Sequence, residues 1–146
     1  ATAHDTLEVN SNLKGLANVY TILNERSHPK GAFTLPLEQF RIVYQFLTRL
    51  SLNYSKEVWI LLISLNPKGE ADSFPENVTD KFAEILTLSL RQSDVVTRNS
   101  KNQYIVLLLE TGRSNIRLIV ERIEANWKAS EYAGEYVIEY EFDFLK

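Results

Sequence analysis

Leu90-Arg91-Gln92-Ser93-Asp94-Val95-Val96-Thr97-Arg98-Asn99-Ser100-Lys101-Asn102-Gln103-Tyr104-Ile105-Val106-Leu107-Leu108-Leu109 holds two apolar runs parted by four polar residues. Ser93 to Arg98 and Gln103 to Glu110 have the length and side chains of strands, and Asn99-Ser100-Lys101-Asn102 has the length and composition of a hairpin connection. Working outward, Val78, Phe82, Ile85 and Leu86 form the apolar stripe of a helix just upstream. Before it, Val58-Trp59-Ile60-Leu61-Leu62-Ile63 is continuously apolar, with Asn66-Pro67-Lys68-Gly69 after it. So short a run, rich in β-branched and aromatic residues, reads as a strand covered on both faces. Phe40, Val43, Phe46, Leu47 and Leu50 mark an earlier helix from Leu37. Downstream, Ile116, Ile119, Val120, Ile123 and Trp127 mark another, with Trp59 and Trp127 read as core. Tyr136, Ile138, Tyr140 and Phe142 then alternate with Val137, Glu139, Glu141 and Asp143, which is a strand with one wet face.

The order from Leu37 is helix, strand, helix, hairpin, helix, strand. Its economical topology is a split β-α-β-β-α-β, an α/β layered fold with a mostly antiparallel central sheet flanked by helices. The domain is expected over 33–146. Residues 1–32 form a leading segment with a helical pattern at Leu13, Leu16, Tyr20 and Leu23 and a loop at Ser27-His28-Pro29-Lys30-Gly31. Docked helix and signalling linker remain open for it.

A chain of 146 residues is one domain's worth and can bury a core without staples. The net charge of -3 gives no electrostatic reason for nucleic acid. Cysteine is absent, which excludes disulfides and thiolate metal sites and fits a reducing compartment such as the cytoplasm. The apolar run Val58 to Leu65 is too short to span a bilayer, so no membrane contact is expected of this segment, and no signal peptide is read. The sequence does not open on Met, so a processed or excised chain with neighbouring domains is expected.

The stretch Arg91 to Leu109 resembles the bacterial GGDEF (diguanylate cyclase) family. That family has an Arg-x-x-Asp motif, then, five residues on, the GGDEF pentapeptide on a hairpin and an apolar strand. Arg91-Gln92-Ser93-Asp94 matches the first, and Ser100-Lys101-Asn102-Gln103-Tyr104 occupies the second. Glu110-Thr111-Gly112 and the helix after it also follow the pattern, and the resemblance extends over about 33–143.

The family's reaction, joining two GTP molecules into cyclic di-GMP, needs a divalent cation held by carboxylates. The resemblance puts the hairpin's acidic positions on Asn102 and Gln103, its glycines on Ser100 and Lys101, and the central strand's Asp-x-Asp on Ile63-Ser64-Leu65. Its guanine-reading Asn falls on Ala71. Amides and aliphatic chains are poor ligands for a hard cation, and side chains at the glycine positions narrow the approach of phosphate. No catalytic residue, metal or cofactor is therefore expected.

One site of the family is retained. The resemblance implies that Arg91 and Asp94 grip cyclic di-GMP, with Arg98 as added positive charge. Against this stands a local role, since Arg suits a helix C-terminus and Asp a turn. The expected function is a non-catalytic GGDEF-like signalling domain, with either cyclic di-GMP or only a protein partner or second copy as ligand. An active cyclase is the third and weakest reading. His4 and His28 read as surface residues, and the acidic row Glu135, Glu139, Glu141 and Asp143 as a solvated strand face that discourages edge pairing.

Overall fold

The computed structural model describes residues 15–25, 30–54, 57–69, 74–109 and 111–145. The expectations placed on His4, Leu13, His28, Ala71 and Glu110 lie outside these residues.

Helix α1, described over 15–23, comes first. The elements that follow are β1 (Phe33–Thr34), α2 (Leu37–Tyr54), β2 (Val58–Pro67), α3 (Glu76–Ser89), β3 (Val95–Ser100), β4 (Gln103–Leu109), α4 (Arg113–Lys128) and β5 (Tyr136–Phe144). The sheet order is β1-β3-β4-β2-β5. All its pairings are antiparallel except β1 with β3. This is the expected layered α/β fold, with β2 inside the sheet between β4 and β5.

Several details differ from expectation. The two-residue strand β1 had no sequence signal, because it is created by its neighbour: Phe33 N–H donates to the Asp94 carbonyl at 2.8 Å and Leu35 N–H to that of Val96 at 2.9 Å. The hairpin is tighter than four residues. Ser100 pairs with Gln103 across a turn at Lys101 and Asn102, and a register shift between Arg98 and Ser100 absorbs Asn99. Strand β3 also starts at Val95 rather than Ser93, since Asp94 N–H closes a turn onto the Arg91 carbonyl at 3.0 Å.

The helices divide between the two faces. On one, α3 and α4 cover Leu61, Ile63, Leu65, Val96, Val106 and Leu108. Phe82 sits at the centre, edge-on to Tyr104 and Trp127 with centroids 5.7 and 6.0 Å away. Trp127 Nε1 donates to the Tyr136 carbonyl at 3.2 Å, which ties α4 to β5. Glu76 in the first turn of α3 and Lys128 in the last turn of α4 suit the helix dipoles. On the other face α2 seats Phe40 and Leu47 over Val58, Val95 and Leu107. Double coverage of β2 therefore holds at Val58 but not further along, where Ile60 and Leu62 are only half-buried.

Gly31 fixes the entry to the domain. Its φ is +85°, and a Cβ there would stand 2.3 Å from the Thr87 carbonyl oxygen. Ala32 N–H donates to that same oxygen at 3.1 Å, so the chain is pinned to the end of α3.

Candidate functional site

The signature hairpin and the strand beside it meet at one pole of the sheet. Gln103 lies opposite Ser64, and its Nε2 donates to Ser64 Oγ at 3.0 Å while its Oε1 accepts from Asn99 Nδ2 at 2.6 Å. Asn102 Nδ2 donates to the Leu65 carbonyl at 2.9 Å, and its Oδ1 accepts from Ser100 Oγ at 3.0 Å. Both amides thus use a donor and an acceptor within the hairpin and its neighbour. Among the described residues, β5 brings carboxylates to this pole, with Glu139 opposite Ser64 and Glu141 opposite Leu62. With Asn66 they line a shallow groove of about 320 Å³. Glu76 and Asp80 of α3 line a separate pocket with Arg98 and Lys101 of the hairpin. Among the described residues no three acidic, histidine or cysteine side chains are grouped as a metal site would require.

The strand register separates two sets of side chains on β2. Ile63 and Leu65 point into the core beneath α3 and α4 and are fully buried. Ser64 and Asn66 share the groove with Gln103. Alternate residues of a strand share a face, so side chains able to act with Gln103 are those at 64 and 66. On the face of Gln103 the strand thus presents Ser64 and Asn66, a hydroxyl and an amide, whereas Ile63 and Leu65, on which the resemblance put the Asp-x-Asp, face the core.

Arg91 and Asp94 are brought together, but chiefly with each other. Asp94 is 0% exposed. Its Oδ2 accepts the Arg91 backbone N–H at 2.8 Å and its Oδ1 the Arg91 Nη2 at 3.2 Å. That nitrogen also donates to the Leu109 carbonyl at 2.7 Å and to Thr111 Oγ1 at 2.8 Å. The motif is a latch joining the end of α3 to the exit of β4. Thr111 and the Leu109 carbonyl were missed in the sequence because they lie 20 and 18 residues away. Only the strand pairing brings them close.

Arg98 does not join this pair. It sits toward the other end of β3, about 13 Å along the strand from Asp94. There its Nε donates to the Ser100 carbonyl at 3.1 Å and its Nη2 to that of Lys101 at 3.0 Å. Its guanidinium lies 6.0 Å from the centre of the Tyr104 ring. Burial pushes the Tyr104 phenol above its usual pKa, with Arg98 opposing and Asp80 adding to the rise. The role the structure assigns to Arg98 is to close the hairpin turn.

No protein-family model matches the chain, and no curated protein sequence matches it. Solved structures do. A DGC protein from Thermotoga maritima superposes with a TM-score of 0.57 at 17% identity, over 77% of this chain and 79% of its own. The coiled coil and GGDEF domain of DgcB from Caulobacter crescentus, in complex with c-di-GMP, gives 0.63 at 12% identity over 99% and 81%. The diguanylate cyclase SiaD from Pseudomonas aeruginosa, in complex with its activator SiaC, gives 0.61 at 12% identity over 98% and 57%. Together with the sheet order and the position of the hairpin, these similarities show that the chain has the fold of GGDEF diguanylate cyclase domains.

Proposed function

We propose that this domain is a non-catalytic GGDEF-fold signalling module that works by protein association. The observation that carries the reading is the neutral hydrogen-bond network at the hairpin. Asn102, Gln103, Ser64 and Asn66 stand where cation-holding carboxylates would be needed, and both hairpin amides are already satisfied. A triphosphate in that groove would face Glu139 and Glu141 with no cation between them, and like charges repel. In this reading the Arg91–Asp94 pair is structural, because the Asp94 carboxylate has no exposed surface to offer a guanine.

Self-association through α1 fits the same reading. Leu16, Tyr20 and Leu23 are exposed on it and, with Leu13, follow the alternating three- and four-residue spacing of a coiled-coil seam. The match to the coiled-coil-bearing DgcB chain extends over nearly all of this chain, α1 included. Cytoplasmic residence goes with this reading, since a chain without cysteine suits a reducing compartment.

Cyclic di-GMP binding is the second reading. One observation favours it: the Arg91 side chain remains 46% exposed, so its guanidinium could meet a phosphate or guanine. Titration calorimetry with GTP plus Mg²⁺, and separately with cyclic di-GMP, tests both. The module reading expects no heat from either. Saturable GTP binding that requires Mg²⁺ would overturn it, and saturable cyclic di-GMP binding lost in Arg91→Ala would install the second reading.

A further inference from the structure

The sheet face under α2 is only half covered. Helix α2 stops over β3, β4 and the start of β2, leaving Ile60, Leu62 and Ile105 partly open to solvent. These three line one shallow depression with Glu141 and Asp143. Leu62 belongs to neither core cluster. Along the outer side of this apolar strip, β5 presents Glu139, Glu141 and Asp143 opposite Ser64, Leu62 and Ile60. None of the three carboxylates makes an ion pair with a described residue. The face is thus an apolar strip with an acidic border on one flank.

We propose that this half-face is the docking site of a basic amphipathic helix from a partner protein. Charge and spacing select that occupant. Alternate strand residues recur about every 6.7 Å, and helix positions four apart recur about every 6 Å. Lys or Arg at i, i+4 and i+8 of a helix lying along β5 would therefore meet Glu139, Glu141 and Asp143 in turn. Its apolar stripe would then cover Ile60, Leu62 and Ile105. A second copy is a poor occupant here, because two acidic rows would oppose each other, and nucleic acid is excluded on the same ground. This surface adds the chemistry of the partner to the interaction-module reading and rests on it.

The test is a methyl NMR titration of the full chain with a synthetic peptide of about 18 residues, roughly five helical turns, bearing Leu on one face and Lys at i, i+4 and i+8 beside it. A scrambled peptide of equal composition is the control. The expected result is saturable binding, with shifts concentrated at Ile60, Leu62 and Ile105. Affinity should fall about tenfold in the triple variant Glu139→Gln, Glu141→Gln, Asp143→Asn. Leu62→Ser, outside the core clusters, should weaken it with the fold intact. The proposal is overturned if the scrambled peptide binds equally well, if shifts map to α1 or elsewhere, or if the triple variant binds unchanged. It is also overturned if this face proves to be buried between two copies. Failure here would leave the absence of turnover untouched, whereas cyclic di-GMP formation from GTP would sink the module reading whatever the peptide does.

Discussion

Removing the Asp94 carboxylate should damage the fold rather than a ligand site. Asp94→Ala leaves the Arg91 backbone N–H, now paired at 2.8 Å with Oδ2, without its acceptor in a part-buried position. An orphaned buried donor costs about 1–3 kcal/mol. The guanidinium loses its contact to Oδ1 at 3.2 Å, but its side chain is 46% exposed, so solvent screening limits that loss to about 0.5–1 kcal/mol. The sum is about 1.5–4 kcal/mol. At about 2–4 °C per kcal/mol for a chain near this size, Tm should drop by roughly 3–16 °C. Asp94→Asn keeps the shape but turns an amide donor toward one of two donors, and should cost about 1–3 kcal/mol. Thermal and urea unfolding of Asp94→Ala, Asp94→Asn and Arg91→Ala, closed into a double-mutant cycle, measure this directly. Variants melting within about 1 °C of wild type would refute the latch, and a loss of cyclic di-GMP binding with stability unchanged would assign the pair to a ligand instead.

Gly31→Ala should destabilise by more than the about 1 kcal/mol expected of an ordinary loop substitution, because it combines the φ of +85° with a clash against the Thr87 carbonyl; urea unfolding checks it. Tyr104 gives a pH signature. Its folded-state pKa is raised above 10.0, so its contribution is fully present below that value and is lost as pH rises through the folded pKa. Stability should therefore decline in alkali above pH 10.0, and Tyr104→Phe should flatten that decline in unfolding curves recorded across it. Replacing Leu16 and Leu23 together by Glu should abolish self-association in sedimentation equilibrium while leaving the domain's melting temperature close to wild type, because both side chains are exposed. A dimer surviving that change would place the association elsewhere.

The parts of the fold legible in the sequence were those written in periodicity. The stripes of α3 and α4 state burial directly, and Ile116, Ile119, Val120, Ile123 and Trp127 are all buried as their spacing implied. The apolar run of β2 gave the strand but overstated its coverage, since Ile60 and Leu62 are only half-buried. Short-range chemistry was legible too, since Arg91 and Asp94 do meet. What stayed hidden depends on strand register. Nothing local distinguishes Ile63 and Leu65 from Ser64 and Asn66 as neighbours of the hairpin until β2 is paired with β4. Likewise the acidic alternation of β5 was visible as a wet face, but its position opposite Ser64 and Leu62 required the β2–β5 pairing. Arg98 was grouped with Arg91 by sequence proximity and charge, whereas four residues of extended chain carry it to the opposite end of the strand.

A GGDEF-fold domain with no cation-holding carboxylates at its hairpin should not condense GTP. The most direct measurement is mass-spectrometric quantification of cyclic di-GMP after incubating the intact chain with GTP and either Mg²⁺ or Mn²⁺. Product should be indistinguishable from a protein-free blank with both metals, because Ser64, Asn66, Asn102 and Gln103 offer no anionic oxygen to the cation. Metal-dependent product that rises with protein concentration would contradict it.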